Sequence, residues 1–211
     1  MIKKKVAIFD FDGTITYGDT FMPFLVHCFG VIRVLLGFII YSPYVLGYFL
    51  NIIPNHKLKS LIIKYFFSKK SVQSLKDFSN SFIKYKLEKQ IRPNIFQRLK
   101  WHQKHNHIVL LVSASLDIYV KPWAELNNIN YTECTELQND GNLYNGLIKG
   151  LNCYGKEKVK RINSILGGEI NNFELFGYGD SQGDLHYINL CEHKYYNLSL
   201  IHISEPTRQE A

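Results

Sequence analysis

Three short apolar runs, each followed by a polar side chain, constrain the fold of this chain more than any other feature of its 211 residues. They are residues 6–9 before Asp10, residues 108–112 before Ser113, and residues 173–176, which lead through Gly177 to Asp180. Helical patterns lie between and after these runs, at residues 94–105, 117–127 and 156–166. Strands that alternate with helices predict a parallel sheet covered on both faces, a Rossmann-like three-layer α/β/α fold. Because ligands of such sheets bind at the carboxyl ends of the strands, we expect a functional site where the three polar residues meet.

The segment between the first two predicted strands is far longer than one crossover helix requires. It has helical patterns throughout, including a new helix start at Pro43 and an amphipathic helix that begins after Ser71. We therefore predict an all-helical cap at residues 17–93. This cap is inserted into an α/β core formed by residues 1–16 and 94–199.

Residues 34–53 carry no charged side chain and reach the length of a membrane span. A single crossing is excluded, because the strands before Asp10 and Ser113 share one sheet and hold both ends of the insertion on one side. Two full spans need about 40 residues, and residues 21–53 are fewer. Two alternatives stay open, a buried pair of cap helices and a hairpin that dips into one leaflet. The lysines that follow would suit anionic headgroups: Lys57, Lys59, Lys64, Lys69 and Lys70.

The composition, 46% hydrophobic and 20% charged, is that of an ordinary globular chain and excludes a disordered or collagen-like protein. Four separated cysteines without a C-x-x-C pair predict reduced thiols rather than zinc ligands or disulfides. The net charge of +7 favours anionic partners, but no arginine–aromatic motif points to nucleic acid. The first residues lack a secretory signal pattern, which predicts a cytoplasmic protein, at most peripheral on the cytoplasmic face of the membrane. Residues 200–211 resemble translated sequencing-adaptor sequence, and we expect a non-native or disordered tail there.

Asp10 and Asp12 stand two residues apart at the end of the first predicted strand, so both side chains leave the same face. Gly13 then allows a sharp turn. Two neighbouring carboxylates repel each other, and they persist where a cation or a shared proton offsets the repulsion. The pair therefore predicts a metal site or acid–base chemistry, although either aspartate alone would also suit a helix cap.

Four strings in a fixed order extend this pattern along most of the chain. They are VAIFDFDGT with Asp10 and Asp12, HIVLLVSAS with Ser113, NCYGKEKVKRI with Lys158, and FGYGDSQGD with Asp180 and Asp184. Together they resemble the motifs of the haloacid dehalogenase superfamily, and the position of the insertion resembles its phosphoserine-phosphatase-like branch. The resemblance implies a HAD-like core with a C1-type helical cap. It also implies a Mg²⁺-dependent phosphatase that forms an aspartyl-phosphate.

The resemblance further implies roles for the acidic residues. Asp10 would attack phosphorus, and Asp12 would protonate the leaving oxygen and later deprotonate the attacking water. The Mg²⁺ ligands would be the Asp10 carboxylate, the Asp12 backbone carbonyl and Asp180. Asp184 would orient a ligand water or Lys158.

Phosphate and substrate contacts are implied in the same way. The phosphoryl oxygens would be held by Ser113, the backbone N–H of Ala114 and Lys158. Lys156 is the alternative choice for the motif lysine. Asp19 stands where phosphoserine phosphatases carry an acidic residue that meets the substrate's amino group, and Gly183 replaces an asparagine that would touch substrate.

The leading hypothesis is therefore a Mg²⁺-dependent phosphatase that hydrolyses a phosphate monoester of a small phosphorylated metabolite. The uncharged residues 34–53 support an alternative, a membrane-associated lipid-phosphate phosphatase similar to the phosphatidylglycerophosphate phosphatase of the same branch. Its contact with the membrane surface would run through residues 21–53. A non-catalytic phosphate-binding module is the third hypothesis, and the intact pair of Asp10 and Asp12 argues against it.

Overall fold

The computed structural model describes residues 3–197, and the tail predicted at residues 200–211 lies outside them. The strands are β1 (Lys4–Phe9), β2 (Lys70–Ser71), β3 (Ile108–Leu116), β4 (Tyr131–Thr135), β5 (Leu137–Asn139), β6 (Leu143–Ile148), β7 (Phe173–Gly179) and β8 (His193–Tyr196). The helices are α1 (Phe21–Phe29), α2 (Val31–Ile40), α3 (Ser42–Phe49), α4 (Asn55–Phe67), α5 (Val72–Phe82), α6 (Pro93–Lys104), α7 (Asp117–Leu126), α8 (Lys156–Ile165) and α9 (Leu185–Ile188). Short helical turns lie at Phe11–Ile15, Ile83–Leu87, Glu88–Gln90 and Ile170–Asn172.

The main sheet has five strands in the order β4-β3-β1-β7-β8, and all its neighbouring pairs are parallel. The predicted parallel sheet is therefore confirmed. Strand β1 lies at the centre, where Phe9 is in register with Leu111 of β3 and with Tyr178 of β7. This register brings the residues at the ends of the three central strands to one edge of the sheet.

Apolar side chains of β1 alternate between two layers, as the two-residue period of a strand requires. Phe9 belongs to the apolar cluster on the side of α6 and α7, together with Leu99 and Trp123. Ile8 belongs to the cluster on the other side, together with Ile162 of α8. The three-layer α/β/α arrangement is confirmed.

The insertion after β1 consists of helices joined by turns, with the short strand β2 between α4 and α5 and a bridge residue at Ile91. This short strand pairs antiparallel with β6, and the Lys69 backbone N–H donates to the Tyr144 carbonyl at 2.7 Å. The chain turns there because Lys69 adopts a left-handed φ of 58°. β2 is a local departure from the all-helical cap predicted at residues 17–93, since the backbone between α4 and α5 finds its hydrogen-bond partners on β6.

Helices α2 and α3 are separated by Tyr41 alone, and α3 begins at Ser42, one residue before the helix start predicted at Pro43. The buried residues of α2 are Val34 and Gly37, and that of α3 is Gly47. Most of the large apolar side chains of both helices face solvent. The structure therefore does not show the buried helix pair that was one of the two alternatives for residues 34–53.

No single helix within residues 3–197 is long and apolar enough to cross a bilayer. Helices α1 and α2 together reach the required length and hydropathy, but they meet at a bend of 115°.

Candidate active site

Asp10 lies at the carboxyl end of the central strand and is held there by the neighbouring strand. Its backbone N–H donates to the carbonyl of Tyr178 at 2.9 Å. The residue is only 5% exposed. Burial raises the pKa of the Asp10 carboxyl, and the ammonium group of Lys158 opposes that rise.

Lys158 lies between two buried carboxylates. It belongs to the first turn of α8, and its Nζ donates to Asp10 Oδ1 at 2.5 Å and to Asp184 Oδ1 at 2.6 Å. Burial alone would lower the pKa of Lys158, but the charges of Asp10 and Asp184 outweigh it and hold the pKa above its usual range. Lys156, at the start of the same helix, is exposed. Of the two candidate lysines, the structure therefore brings Lys158 into the cluster.

The carboxylates of Asp10, Asp180 and Asp184 form a cluster in which one oxygen of each lies within 4.8 Å of the others. Oxygen donors at this spacing fit the ligand shell of Mg²⁺, a small hard cation. Asp184 is already engaged, because its Oδ2 accepts from the backbone N–H of Ser181 at 3.0 Å and its Oδ1 accepts from Lys158. Asp10 and Asp180 are thus the carboxylates best placed to take a cation.

Gly13 allows the close approach of Asp180. The backbone of Gly13 has a φ of 74°, and a Cβ at this position would lie 1.9 Å from Asp180 Oδ2. The Thr14 hydroxyl donates to Asp180 Oδ1 at 3.3 Å on the same turn. A glycine is therefore required both by the left-handed conformation and by the space that the carboxylate occupies.

Gly13→Ala is expected to lower the free energy of unfolding by about 2–4 kcal/mol, because the methyl group adds backbone strain and a clash with Asp180. Thermal and urea unfolding would measure this loss. Gly18→Ala is the matched control, since no heavy atom lies within 4 Å of its Cβ position and its φ is not left-handed. Equal stability of the two variants would contradict this account of the turn.

Asp12 is held by three donors on the opposite side of the turn. Its Oδ1 accepts from the Thr20 hydroxyl at 2.6 Å and from the Thr20 backbone N–H at 3.1 Å, and its Oδ2 accepts from the Ser115 hydroxyl. Burial raises the pKa of Asp12 to about 6, and these hydrogen bonds oppose the rise. The carboxyl therefore changes its protonation state close to neutral pH, as an acid–base group must.

Sequence reasoning gave Thr20 and Ser115 no place in the site. Ser115 follows Ser113 by two residues in β3, and the period of a strand puts both on the same face. Ser113 is buried, and its Oγ accepts from the Ser115 backbone N–H at 3.0 Å. The signal for Ser115 was therefore present in the sequence, whereas Thr20 depends on how the chain folds back after Gly13.

Lys59 is one of the five lysines expected to suit anionic headgroups, but the structure places it beside the candidate site. It projects from α4 into the cavity, where its Nζ donates to the Ala114 carbonyl at 2.5 Å and to Asn152 Oδ1 at 3.0 Å. Burial lowers the pKa of Lys59 to about 8, while the charges of Asp12 and Asp19 raise it. Lys59 lies at helical spacing from Asn55 and Ile62, which also line the cavity, but the sequence does not show which side of α4 faces the core.

A cavity of about 530 Å³ lies above these groups. Its wall includes Asp19, which is exposed and accepts from the Met22 backbone N–H at 3.0 Å. Gly183 is not among the cavity-lining residues, because the ring of Tyr154 covers it and a Cβ at Gly183 would lie 2.5 Å from that ring. The polar end of the cavity is lined by Asp10, Asp12, Ser113, Ala114, Ser115, Lys158 and Asp180, and the apolar end by Phe21, Met22, Phe38, Tyr48, Leu58 and Ile62.

This arrangement of strand-end aspartates and a buried lysine agrees with the comparison to known families. A family model described as haloacid dehalogenase-like hydrolase matches residues 7–188. The chain therefore belongs to the haloacid dehalogenase-like hydrolase family.

The proteins that are compared individually with this chain are each less than 30% identical to it. Protein CicA of Caulobacter vibrioides is 28% identical over 201 residues, which cover 92% of this chain and 86% of CicA. A protein of unknown function from Bordetella pertussis Tohama I has a TM-score of 0.76 at 17% identity, covering 90% of this chain and 87% of its own. A substrate-bound phosphoserine phosphatase has a TM-score of 0.62 at 16% identity, covering 93% and 87%. The resemblance to the haloacid dehalogenase superfamily, with a phosphoserine-phosphatase-like fold, is confirmed.

Proposed function

We propose that this chain is a Mg²⁺-dependent phosphatase that hydrolyses a phosphate monoester of a small metabolite through an aspartyl-phosphate. The observation that carries the proposal is the position of Lys158, buried between Asp10 and Asp184 at the polar end of an open cavity. A carboxylate that attacks a phosphate dianion needs positive charge beside it, because catalysis of phosphoryl transfer is mainly positioning and electrostatic stabilisation. The phosphoserine phosphatases of the same fold support the same chemistry.

The reaction has two steps, in which Asp10 acts as the nucleophile and Asp12 as the general acid and base. A carboxylate oxygen of Asp10 forms a bond to phosphorus, and the bond between phosphorus and the ester oxygen breaks. Asp12 gives its proton to that leaving oxygen. A water then attacks phosphorus and gives a proton to Asp12, while the bond between phosphorus and the Asp10 oxygen breaks. Phosphate is released, and the Asp10 carboxylate is restored. A pKa of Asp12 near 6 suits both directions of proton transfer.

Charge on the phosphoryl group would be balanced by the surrounding residues. Lys158 and Ser113, with the backbone N–H of Ala114, would hold phosphoryl oxygens, and Asp184 would keep Lys158 in position. Mg²⁺ would be held by the Asp10 and Asp180 carboxylates and the Asp12 backbone carbonyl. Bound there, the ion would supply further positive charge to the phosphoryl oxygens.

Specificity would reside in the cavity wall. Asp19 and Lys59 offer opposite charges to the part of the substrate beyond the phosphate. A lipid phosphate is the second candidate substrate, favoured by the apolar end of the cavity that Phe38 and Tyr48 help to form. A non-catalytic binding module is disfavoured, because it would have no use for a nucleophile and a tuned acid together.

A panel assay for released phosphate tests the proposal. It would contain phosphoserine, sugar phosphates, nucleotides, lysophosphatidate and phosphatidylglycerophosphate, each with Mg²⁺ and with EDTA. We expect release from at least one ester with Mg²⁺ and none with EDTA. Folded, Mg²⁺-supplied protein that releases phosphate from no member, or activity that persists in EDTA, would contradict the proposed function.

A further inference from the structure

Helices α2 and α3 expose an extended apolar surface. We define the hairpin face as the exposed large apolar side chains of residues 31–52, which are Val31, Ile32, Leu35, Leu36, Ile39, Ile40, Tyr44, Leu46, Tyr48, Phe49, Leu50 and Ile52. Ile32 is 77% and Phe49 is 73% exposed. Single exposed apolar side chains are common on proteins, but a concentration of them within two adjacent helices marks an interaction surface.

The orientation of the hairpin is set by its small residues. A Cβ at Gly37 would lie 2.9 Å from the rings of Tyr65 and Phe66 on α4, so α2 packs on α4 by its glycine side. A Cβ at Gly47 would likewise lie 2.9 Å from the Ile53 side chain. Because the small residues are used for packing within the fold, the large apolar side chains are left on the outside.

The charge of the surrounding segment is entirely positive. Residues 20–76 contain seven lysines and arginines and no aspartate or glutamate, so they account for the whole net charge of +7. The other residues carry 18 charges of each sign. Arg33 and Lys57, on either side of the uncharged stretch, are exposed, and neither forms an ion pair with any residue between 3 and 197. Such a segment is complementary to an anionic surface.

An anionic membrane surface fits these features better than a second copy of the chain. Two copies that met by the hairpin face would bring together two all-positive segments. In addition, α2 with ten residues is about 15 Å long and α3 with eight is about 12 Å long. Each spans roughly half of a hydrocarbon core of about 30 Å, which suits insertion into one leaflet. The partly exposed tyrosines Tyr44 and Tyr48 have the amphipathic character typical of residues at a membrane interface.

The hairpin also forms part of the substrate cavity. Phe38 of α2 and Tyr48 of α3 line its apolar end, and their sequence neighbours Ile39 and Phe49 belong to the hairpin face. A substrate in this cavity would have its phosphate near Lys158 and its remainder against apolar side chains.

We propose that the hairpin face docks on anionic lipid bilayers and that the cavity takes the phosphate of a lipid-borne monoester. The second half of this proposal rests on the proposed phosphatase function, whereas the first half does not.

Sedimentation with vesicles tests the docking. Phosphatidylcholine vesicles with and without phosphatidylglycerol would be mixed with the full chain. We expect binding that is tighter with phosphatidylglycerol and weakens as salt rises. The triple change Ile32→Ser, Ile39→Ser and Phe49→Ser is expected to weaken binding about a hundredfold. Changing Arg33→Gln and Lys57→Gln is expected to weaken it about tenfold or more, on anionic vesicles only.

Matched changes on other surfaces serve as controls. Leu126→Ser replaces an equally exposed apolar residue on α7, and Lys160→Gln an exposed lysine on α8; both are expected to bind vesicles like the parent. Sedimentation that the triple variant does not reduce would overturn the docking. So would a dimer in solution that the triple variant dissociates, because the occupant would then be a second copy.

A paired substrate assay distinguishes failure of the docking from failure of the chemistry. Lysophosphatidate in vesicles and soluble glycerol 3-phosphate carry the same phosphate ester with and without an acyl chain. We expect faster hydrolysis of the lipid, by about tenfold or more, with the advantage lost in the triple variant. Equal rates would contradict the proposal of a lipid substrate but would agree with the proposed phosphatase activity. Vesicle binding by a protein that hydrolyses no ester would instead contradict the proposed phosphatase activity but agree with the proposed membrane docking.

Discussion

Asp10→Asn is expected to reduce phosphate release by at least about a thousandfold, because an amide nitrogen or oxygen cannot replace the carboxylate nucleophile. The change preserves the size of a side chain that is only 7% exposed and contacts Lys158. The variant should therefore fold, and circular dichroism and thermal unfolding would establish this. Steady-state phosphate release on the preferred ester would measure the loss.

Asp77→Asn provides a matched control on the exposed face of α5, where the carboxylate accepts from Gln73 Nε2 at 2.9 Å. Its activity is expected to equal that of the parent. A brief incubation with radiolabelled ester should also trap a label that hydroxylamine removes from the parent protein, as an acyl phosphate requires, and no label in Asp10→Asn. Retention of activity by the folded variant would rule out Asp10 as the nucleophile.

Lys158→Met is expected to reduce activity by about 100- to 1000-fold, since the methionine keeps the length of the side chain but removes its charge and hydrogen bonds. It is also expected to destabilise the fold by about 3–5 kcal/mol, because two buried carboxylates lose the cation between them. Burial raises the pKa of Asp10 to about 8 even beside Lys158, and loss of the ammonium group raises this pKa further. The folded variant then keeps a proton that the folded parent releases, so its stability deficit relative to the parent grows as the pH rises above about 8.

Urea unfolding at several pH values and phosphate release would measure both effects. Lys156→Met is the control, because this lysine lies on the same helix but is exposed. We expect it to change activity by less than about twofold and stability by less than about 0.5 kcal/mol. If Lys156→Met were the more damaging change, Lys158 would not be the functional lysine.

The central strands of the sheet were predictable from the sequence, because a strand that is buried on both faces consists of consecutive apolar residues. β1 contributes four consecutive fully buried apolar residues, and its apolar run is therefore visible without a structure. Strands β4 and β8 lie at the two edges of the sheet, mix polar with apolar residues and leave no such run. The pairing of β2 with β6 could not be predicted from the sequence either, since it joins residues that lie more than seventy positions apart.

The candidate site was predictable to the extent that its residues follow strands or occur in short motifs. Asp10, Ser113 and Asp180 meet because their strands are neighbours. Motif spacing left the choice between Lys156 and Lys158 open, since only the rotation of α8 decides which side chain points inward. Lys59 of the cap was not predicted as a site residue, because its position over the site depends on how the insertion folds back on the core.

The way in which the insertion is attached to the core affects how substrates reach the cavity. Its two connecting segments are joined by the Thr16–Ile91 bridge and by the Tyr17 N–H, which donates to the Gln90 carbonyl at 2.8 Å. The β2–β6 pair adds a second attachment on another side of the core. With two attachments, the helices cannot rotate away as a hinged lid without breaking backbone hydrogen bonds. We therefore expect a channel of nearly constant width, in which discrimination among esters depends on the side chains of the walls rather than on domain closure.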